Sequence, residues 1–288
     1  MPAEERRDVT EDYGHCETLL READRDRYWS ALFAPADKRP HLFALYAFST
    51  EIARVREAVS APMPGEIRLQ WWRDAVEGLA RGDVMANPVA AALEDTIARF
   101  SLPRQAFIDL IDARVFDLYD DPMPSLGDLE GYLGETSSSL MRLATLVLAD
   151  GRDPGGADAA GHAGIAYGLT GLLRALPWHA RQGRLYLPRD LLDRHGVTRD
   201  DIVLGRGGPG VVTVLADLRE RARTHLATAR SLQAALPAAI RPAFLPAALV
   251  ASDLAAMDRS GLDPLATPAE RPAWRRLASL WWGSKRGF

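Results

Sequence analysis

The stretch GLLRALPWHARQGRLYLP, residues 171–188, holds the side chains best suited to chemistry: Arg174, Trp178, His179, Arg184 and Tyr186. Guanidinium groups offer planar, permanently charged donor forks that match phosphate or carboxylate. The closing turn, GRLYLP, is of the basic and aromatic kind that faces a polyanionic ligand. No Asp or Glu occurs between Gly171 and Gly183, although the chain holds 39 acids. The stretch therefore reads either as the wall of a site without metal ligands or as a buried helix end.

Other stretches are weaker. The six histidines (His15, His41, His162, His179, His195 and His225) show no HExxH or Cys/His spacing, so each reads as structural. Neither a phosphate-cradling G-x-x-x-x-G-K-[ST] loop nor a G-x-S-x-G elbow is present, and GRGGPG at 205–210 follows no predicted strand. Asp120 and Asp121 precede a proline and read as turn and cap residues, and Asp200 and Asp201 form a further acidic pair. Asp74 and Glu77 share a helix face with Arg73 and Arg81 as ordinary ion-pair partners.

These residues must be positioned by helices. Segment 37–59 repeats apolar residues at i, i+3 and i+4 spacing, with Asp37 as the expected N-cap and Pro40 in the first turn. APMPG then breaks the pattern before a helix beginning at Glu66. Further helices are expected near 87–100, 103–119, 125–149, 157–176, 211–235, 242–260 and 268–282. No alternating strand series, internal repeat or long Pro/Ser linker interrupts them. The expectation is a single all-α domain over residues 1–288, with residues 1–10 a flexible N-terminus.

Composition narrows the function classes. With 288 residues, 47% hydrophobic and 26% charged, the chain can bury a full core, and its net charge of −4 gives no reason to expect nucleic-acid binding. The single Cys16 excludes an internal disulfide and a cysteine-rich zinc site. The N-terminal stretch lacks the apolar segment of a secretory signal, and no apolar run approaches the ~18 residues of a span. A cytoplasmic protein is expected, with membrane contact at most peripheral to the inner membrane. SLWWGSKRGF at the C-terminus reads as a helix end packed on the core or as a tail that touches a membrane or partner.

Blocks DRDRYWSALFAPADKRPHLFALYAF at 24–48, AFSTEIARVREAVS at 47–60, YLGETSSSLMRLA at 132–144 and the opening stretch resemble the squalene/phytoene synthase family in order and spacing. The resemblance covers most of the chain. It implies an isoprenoid-synthase helical fold with a central cavity, in which two prenyl diphosphates are joined head to head with Mg²⁺ held by two acidic helices. On this chain the family's DDxxD motif falls on Ala53, Arg54, Val55, Arg56 and Glu57, and NxxxDxxxD falls on Gly171, Ala175 and His179. Only Glu57 keeps an acid. Pro177 adds a helix-breaking element, because an interior proline removes a backbone hydrogen bond and costs ~3 kcal/mol. The second metal helix is expected to kink or end there.

The departures resemble one branch of the family, which includes the mitochondrial complex I assembly factor. The resemblance implies a non-catalytic protein that assists respiratory complex I assembly, with a complex I subunit or intermediate as partner, or that binds an isoprenoid or lipid. On this reading no cofactor is needed and no catalytic residue is assigned. Arg39, Tyr46, Thr50, Arg54, Arg174, Trp178, Arg184 and Tyr186 would line the ligand cavity; the competing structural reading pairs Arg174 with a buried acid such as Glu57 or Glu135 and packs Tyr46 in the core. The alternative is an active prenyltransferase of the squalene/phytoene synthase type, whose Mg²⁺ would need Glu57, Asp74, Glu77 and Glu135.

Overall fold

The computed structural model describes residues 9–80, 84–259, 263–266 and 270–288, and these are helical with no strand among them. The expected flexible N-terminus therefore lies outside the described residues at 1–8, while Val9 and Thr10 already belong to the first helix. The α-helices are α1 (Val9–Ala23), α2 (Arg25–Ala31), α3 (Arg39–Arg54), α4 (Pro62–Glu77), α5 (Pro88–Phe100), α6 (Arg104–Ala113), α7 (Leu126–Leu133) and α8 (Ser139–Leu148). They continue with α9 (Ala157–Arg181), α10 (Arg189–Arg194), α11 (Arg199–Val203), α12 (Pro209–Leu232), α13 (Val250–Met257) and α14 (Ala273–Arg286).

Helix α3 runs through the core. Every residue from His41 to Ser49 is buried, the pattern of a helix enclosed on all sides rather than half-solvated. It is flanked by α1, α5 and α8, and α9 is flanked by α12, α8 and the turn joining α7 to α8. The two helices expected to carry the metal motifs thus both pack against α8. One apolar cluster extends from Cys16 to Phe288 through all of them.

The turn between α7 and α8, Gly134–Ser138, is a π turn. Its extra residue lets hydroxyls leave the helix surface: Ser137 Oγ donates to the Gly164 carbonyl at 2.8 Å and Ser138 Oγ to the Gly161 carbonyl at 2.7 Å. The approach is close enough to require glycine on α9. A Cβ at Gly164 would lie 2.4 Å from Ser138 Cα, and one at Gly168 would lie 2.8 Å from Leu133 Cδ2.

Several expectations are corrected. Helix α3 begins at Arg39 after Lys38 with no side-chain cap, so Asp37 is not its N-cap, and residues 55–58 tighten into a 3₁₀ turn. Helix α4 begins at Pro62 within the supposed breaker, because a proline at the first helical position forfeits no intrahelical bond. Pro177 does not end α9, which continues to Arg181. Only one turn follows it, and the ring is buried against the core, so the lost hydrogen bond is offset locally. Pro242 and Pro246 turn the expected helix 242–260 into a 3₁₀ stretch, Ala238–Leu249, before α13. Helices α1, α2, α10 and α11 were not expected.

Ala238–Met257 is long and apolar enough to cross a membrane by length and composition, against the reading that no such run exists. Most of it, 61%, is buried inside the fold, and Asp253 within it is bound by arginines. At the C-terminus Leu280 is buried and Phe288 stacks on Phe244 at 5.4 Å, yet Trp281 and Trp282 are half exposed. SLWWGSKRGF is thus packed on one side and open on the other.

Candidate functional site

Two polar clusters lie along α9, one around Arg174 and one between one and two turns further on, around His179. The first is built on the alternating DRDR of α2. Asp24 caps that helix, accepting from the Arg27 backbone N–H at 3.1 Å. The Arg27 guanidinium lies between the rings of Tyr46 and Tyr167, 5.7 and 5.3 Å from their centroids. Asp26 turns the other way and accepts from Arg276 Nε at 2.7 Å and Arg174 Nη1 at 3.3 Å.

Asp253 of α13 completes this cluster. It accepts from Arg276 at 2.9 and 3.1 Å, from Arg174 at 3.1 Å and from Arg271 at 3.1 Å. Asp26, Asp253 and Arg276 are all buried. Burial alone would raise the Asp26 pKa, but the hydrogen bond from Arg276 and the charges of Arg174 and Arg276 outweigh it and hold the carboxyl below its ordinary range. The cluster floors a 690 Å³ recess whose rim includes Arg25, Trp29, Tyr167 and Glu270. Chemically, it is an arginine site already filled by the protein's own carboxylates.

The second cluster centres on Asp117. Tyr132 Oη and Tyr186 Oη donate to the same carboxylate oxygen at 2.8 and 2.9 Å, and Arg114 donates to the other at 2.9 Å. Phe116, Tyr132, Tyr186, His179 and Trp178 form a run of ring contacts 4.9–6.1 Å apart. Burial first, and the Asp117 charge with it, pushes the Tyr186 pKa well up, so both phenols remain neutral donors. Burial and then the Arg184 charge press His179 down to about 4, making it a neutral imidazole at pH 7. Arg184 lies 5.3 Å over the Trp178 ring, and its Nε is buried without a hydrogen-bond partner. No acid pairs with it among the described residues.

Of the expected cavity residues, the structure brings Trp178, Arg184 and Tyr186 together here, with His179. Tyr46 and Arg174 join the first cluster. Arg174 pairs with Asp26 and Asp253, not with Glu57 or Glu135, which are exposed on other elements. Arg39 leaves the set, because its Nε caps the Ala34 carbonyl at 2.8 Å. Arg54 is exposed and faces a groove with Glu51, Arg68 and Trp71, and Thr50 spends its hydroxyl on the Tyr46 carbonyl. Sequence reading passed over Asp26, Arg114, Asp117, Asp253, Arg271 and Arg276. For Asp26 a signal existed, since acids and bases that alternate at the start of a short helix point to two sides. Asp117 was hidden beside the more conspicuous Asp120 and Asp121.

The squalene/phytoene synthase family profile matches residues 20–278. The chain belongs to the squalene/phytoene synthase family. It is 34% identical over 231 residues to NADH dehydrogenase (ubiquinone) complex I, assembly factor 6, of Homo sapiens, which covers 80% of this chain and 69% of the human one. It is 29% identical over 203 residues to a presqualene diphosphate synthase of Rhodopseudomonas palustris, covering 70% of this chain and 72% of the relative. Among solved structures, squalene synthase HpnC of Alicyclobacillus acidocaldarius superposes with a TM-score of 0.72 at 26% identity, over 88% of this chain and 95% of that one.

The residues at this family member's motif positions do not fit Mg²⁺. The ion takes oxygen ligands in a near-ideal octahedron. Ala53 offers none, Arg54 repels it, and Glu57 stands exposed on the 3₁₀ turn after α3. On α9, Gly171 and Ala175 offer none, and His179 presents nitrogen in an aromatic stack. Glu57, Asp74, Glu77 and Glu135 do not come together. Asp74 accepts from Gln70 at 2.6 Å and Glu135 from Ser139 at 3.5 Å, each within its own turn. Arg73 pairs with Asp112 rather than with either acid, and Arg81 lies outside the described residues. Among the described residues no group of three His, Cys, Asp or Glu could hold a metal ion.

Proposed function

We propose that this chain acts in assembly of a respiratory complex I, in the manner its relatives' name describes, and does not carry out prenyl-diphosphate condensation. One observation carries the reading: Arg174, on the helix of the second motif, and the neighbouring Arg276 are neutralised by Asp26 and Asp253, while the motif positions themselves hold no metal ligands. A diphosphate entering there would meet guanidinium groups already bonded to buried carboxylates and no ion to neutralise its departure.

The test is direct. Purified protein with farnesyl or geranylgeranyl diphosphate and Mg²⁺ is expected to release no diphosphate, and Mg²⁺ alone to leave its melting temperature unchanged, since an ion that does not bind cannot stabilise. Chelator-sensitive turnover would overturn the reading in favour of a prenyltransferase. In cells, deletion is expected to lower assembled complex I with squalene and carotenoid levels intact, and the reverse pattern would again favour the enzyme.

A second reading rests on Arg184. A cation over an indole, beside neutral phenols and with no acid partner, suits the head group of an isoprenoid or acidic lipid held without metal. Such a ligand is compatible with an assembly role. Native mass spectrometry of the intact protein is expected to show it retained and the Arg184→Glu variant to lose it; an empty protein in both forms counts against it.

A further inference from the structure

Helix α14 presents two different faces. Arg276, Leu280 and Gly283 are buried, and Gly283 packs so closely that a Cβ there would lie 2.7 Å from Ala248 Cβ. The chain end beyond it is fastened as well. Phe288 donates its backbone N–H to Gln233 at 3.0 Å, and its carbonyl accepts from Arg230 at 2.9 Å. The helix is therefore held rigidly against the body, and its outward face is set by the fold rather than free to turn inward.

That outward face is apolar. Trp274, Leu277 and Trp281 fall at i, i+3 and i+7, one stripe opposite the buried residues, and are 65%, 41% and 49% exposed. Trp282, also 49% exposed, meets Trp281 edge-on at 4.8 Å. Scattered exposed hydrophobics are ordinary, but two tryptophans and a leucine aligned on one helix, with Trp282 beside them, mark an interaction surface.

Charge decides what covers it. The helix contains no Asp or Glu, and its exposed cations Arg275, Lys285 and Arg286 flank the stripe, Arg275 lying 5.1 Å over Trp274 and Arg286 4.5 Å over Trp282. The whole chain carries −4, so these cations are concentrated against the general trend. Tryptophan prefers the boundary between headgroups and acyl chains, and cations beside it meet anionic lipid at the same depth. We propose that α14 is a docking helix that lies flat in the surface of an anionic bilayer, with Trp274, Leu277 and Trp281 inserted and Arg275, Lys285 and Arg286 among the headgroups. The apolar segment beneath it, Ala238–Met257, stays in the protein core, so the contact is peripheral.

The test uses the full chain with vesicles of phosphatidylcholine alone or mixed equally with phosphatidylglycerol. Binding to the anionic vesicles is expected to be at least about tenfold tighter, each exposed cation contributing up to about fivefold, and to weaken as salt rises. The double variant Trp274→Glu/Trp281→Glu is expected to lose binding at least about tenfold with an unchanged melting temperature, since both side chains are exposed. Lys285→Glu/Arg286→Glu is expected to lose the preference for anionic lipid. Lipids brominated near the headgroup should quench fluorescence in the intact chain and much less in a variant lacking the three α14 tryptophans of the chain's seven. Equal binding by the intact chain and the double tryptophan variant, or no vesicle binding at all, overturns the proposal. A concentration-dependent dimer abolished by the same variant, without vesicle binding, would overturn it and give the face to a second copy.

Discussion

The two clusters along α9 contain the same kinds of groups in opposite states. Around Arg174, three guanidinium groups surround two buried carboxylates, every charge finds a partner, and the network joins α2, α9, α13 and α14. Around Arg184, one carboxylate is shared by two phenols and Arg114, and the last guanidinium is left over an indole. The first arrangement serves structure. The second keeps an unmatched charge in a half-buried aromatic setting, where an anion would gain most. Basic residues on α9 and in the turn that follows it are thus divided, by where the acids lie, into a paired set and an unpaired guanidinium.

The comparison breaks most visibly at Arg276. Replacing it by Met removes donors from both Asp26 and Asp253 and is expected to cost about 3–5 kcal/mol, because buried carboxylates lose their partner. A fall in melting temperature on the order of 10 °C would register it. If instead the protein melts unchanged, the first cluster is not a fastening. Asp117→Asn comes next: the phenols keep an acceptor but Arg114 loses its counter-ion, for a cost of about 2 kcal/mol in urea unfolding.

Acid sharpens the contrast. His179 and His41 are held at about 4, His179 by burial and then Arg184, His41 by burial and then Arg99. The unfolded chain binds these protons near 6.5 and the folded chain does not, so stability present above about 6.5 is lost as the pH falls toward 4. His179→Phe is expected to flatten that part of the melting-temperature profile. Asp26 acts lower: its pKa is depressed, so its contribution persists above the unfolded carboxylate range and disappears only on stronger acidification. The smallest expected effect is Arg184→Ala, about 0.5–1 kcal/mol on unfolding since only the contact with the Trp178 ring and no ion pair is lost, yet it should remove any retained anionic ligand seen by native mass spectrometry. Arg174→Ala should do the opposite, weakening the fold more than ligand retention.

Much of the helical layout was legible because α3, α5, α9 and α12 carry apolar residues at helical spacing over several turns. The motif positions were equally legible, since absence of a carboxylate at Ala53, Gly171 and Ala175 needs no coordinates. The partners were not. Arg174 meets acids 148 and 79 residues away, and nothing local distinguishes Asp26 or Asp253 from Glu57 or Glu135. Pro177 misled because its cost was weighed without its position: a proline one turn from a helix end, with its ring buried, disrupts little. The π turn was invisible for a related reason. GETSS reads as ordinary helix until Gly164 and Gly168 of α9 are brought against it.

The bond between Arg276 and Asp26 spans 250 residues. At ribosomal rates of about 5–20 residues per second, that separation amounts to about 10–50 s. During the later part of that interval Asp26 has only Arg174, at 3.3 Å, to pair with, and its enclosure lacks the shorter bond from Arg276. Helix α2 is therefore expected to close fully on the body only once α14 has been made. A chain released before Ala273 is expected to stay protease-sensitive around α2 even though the rest of the domain has been made.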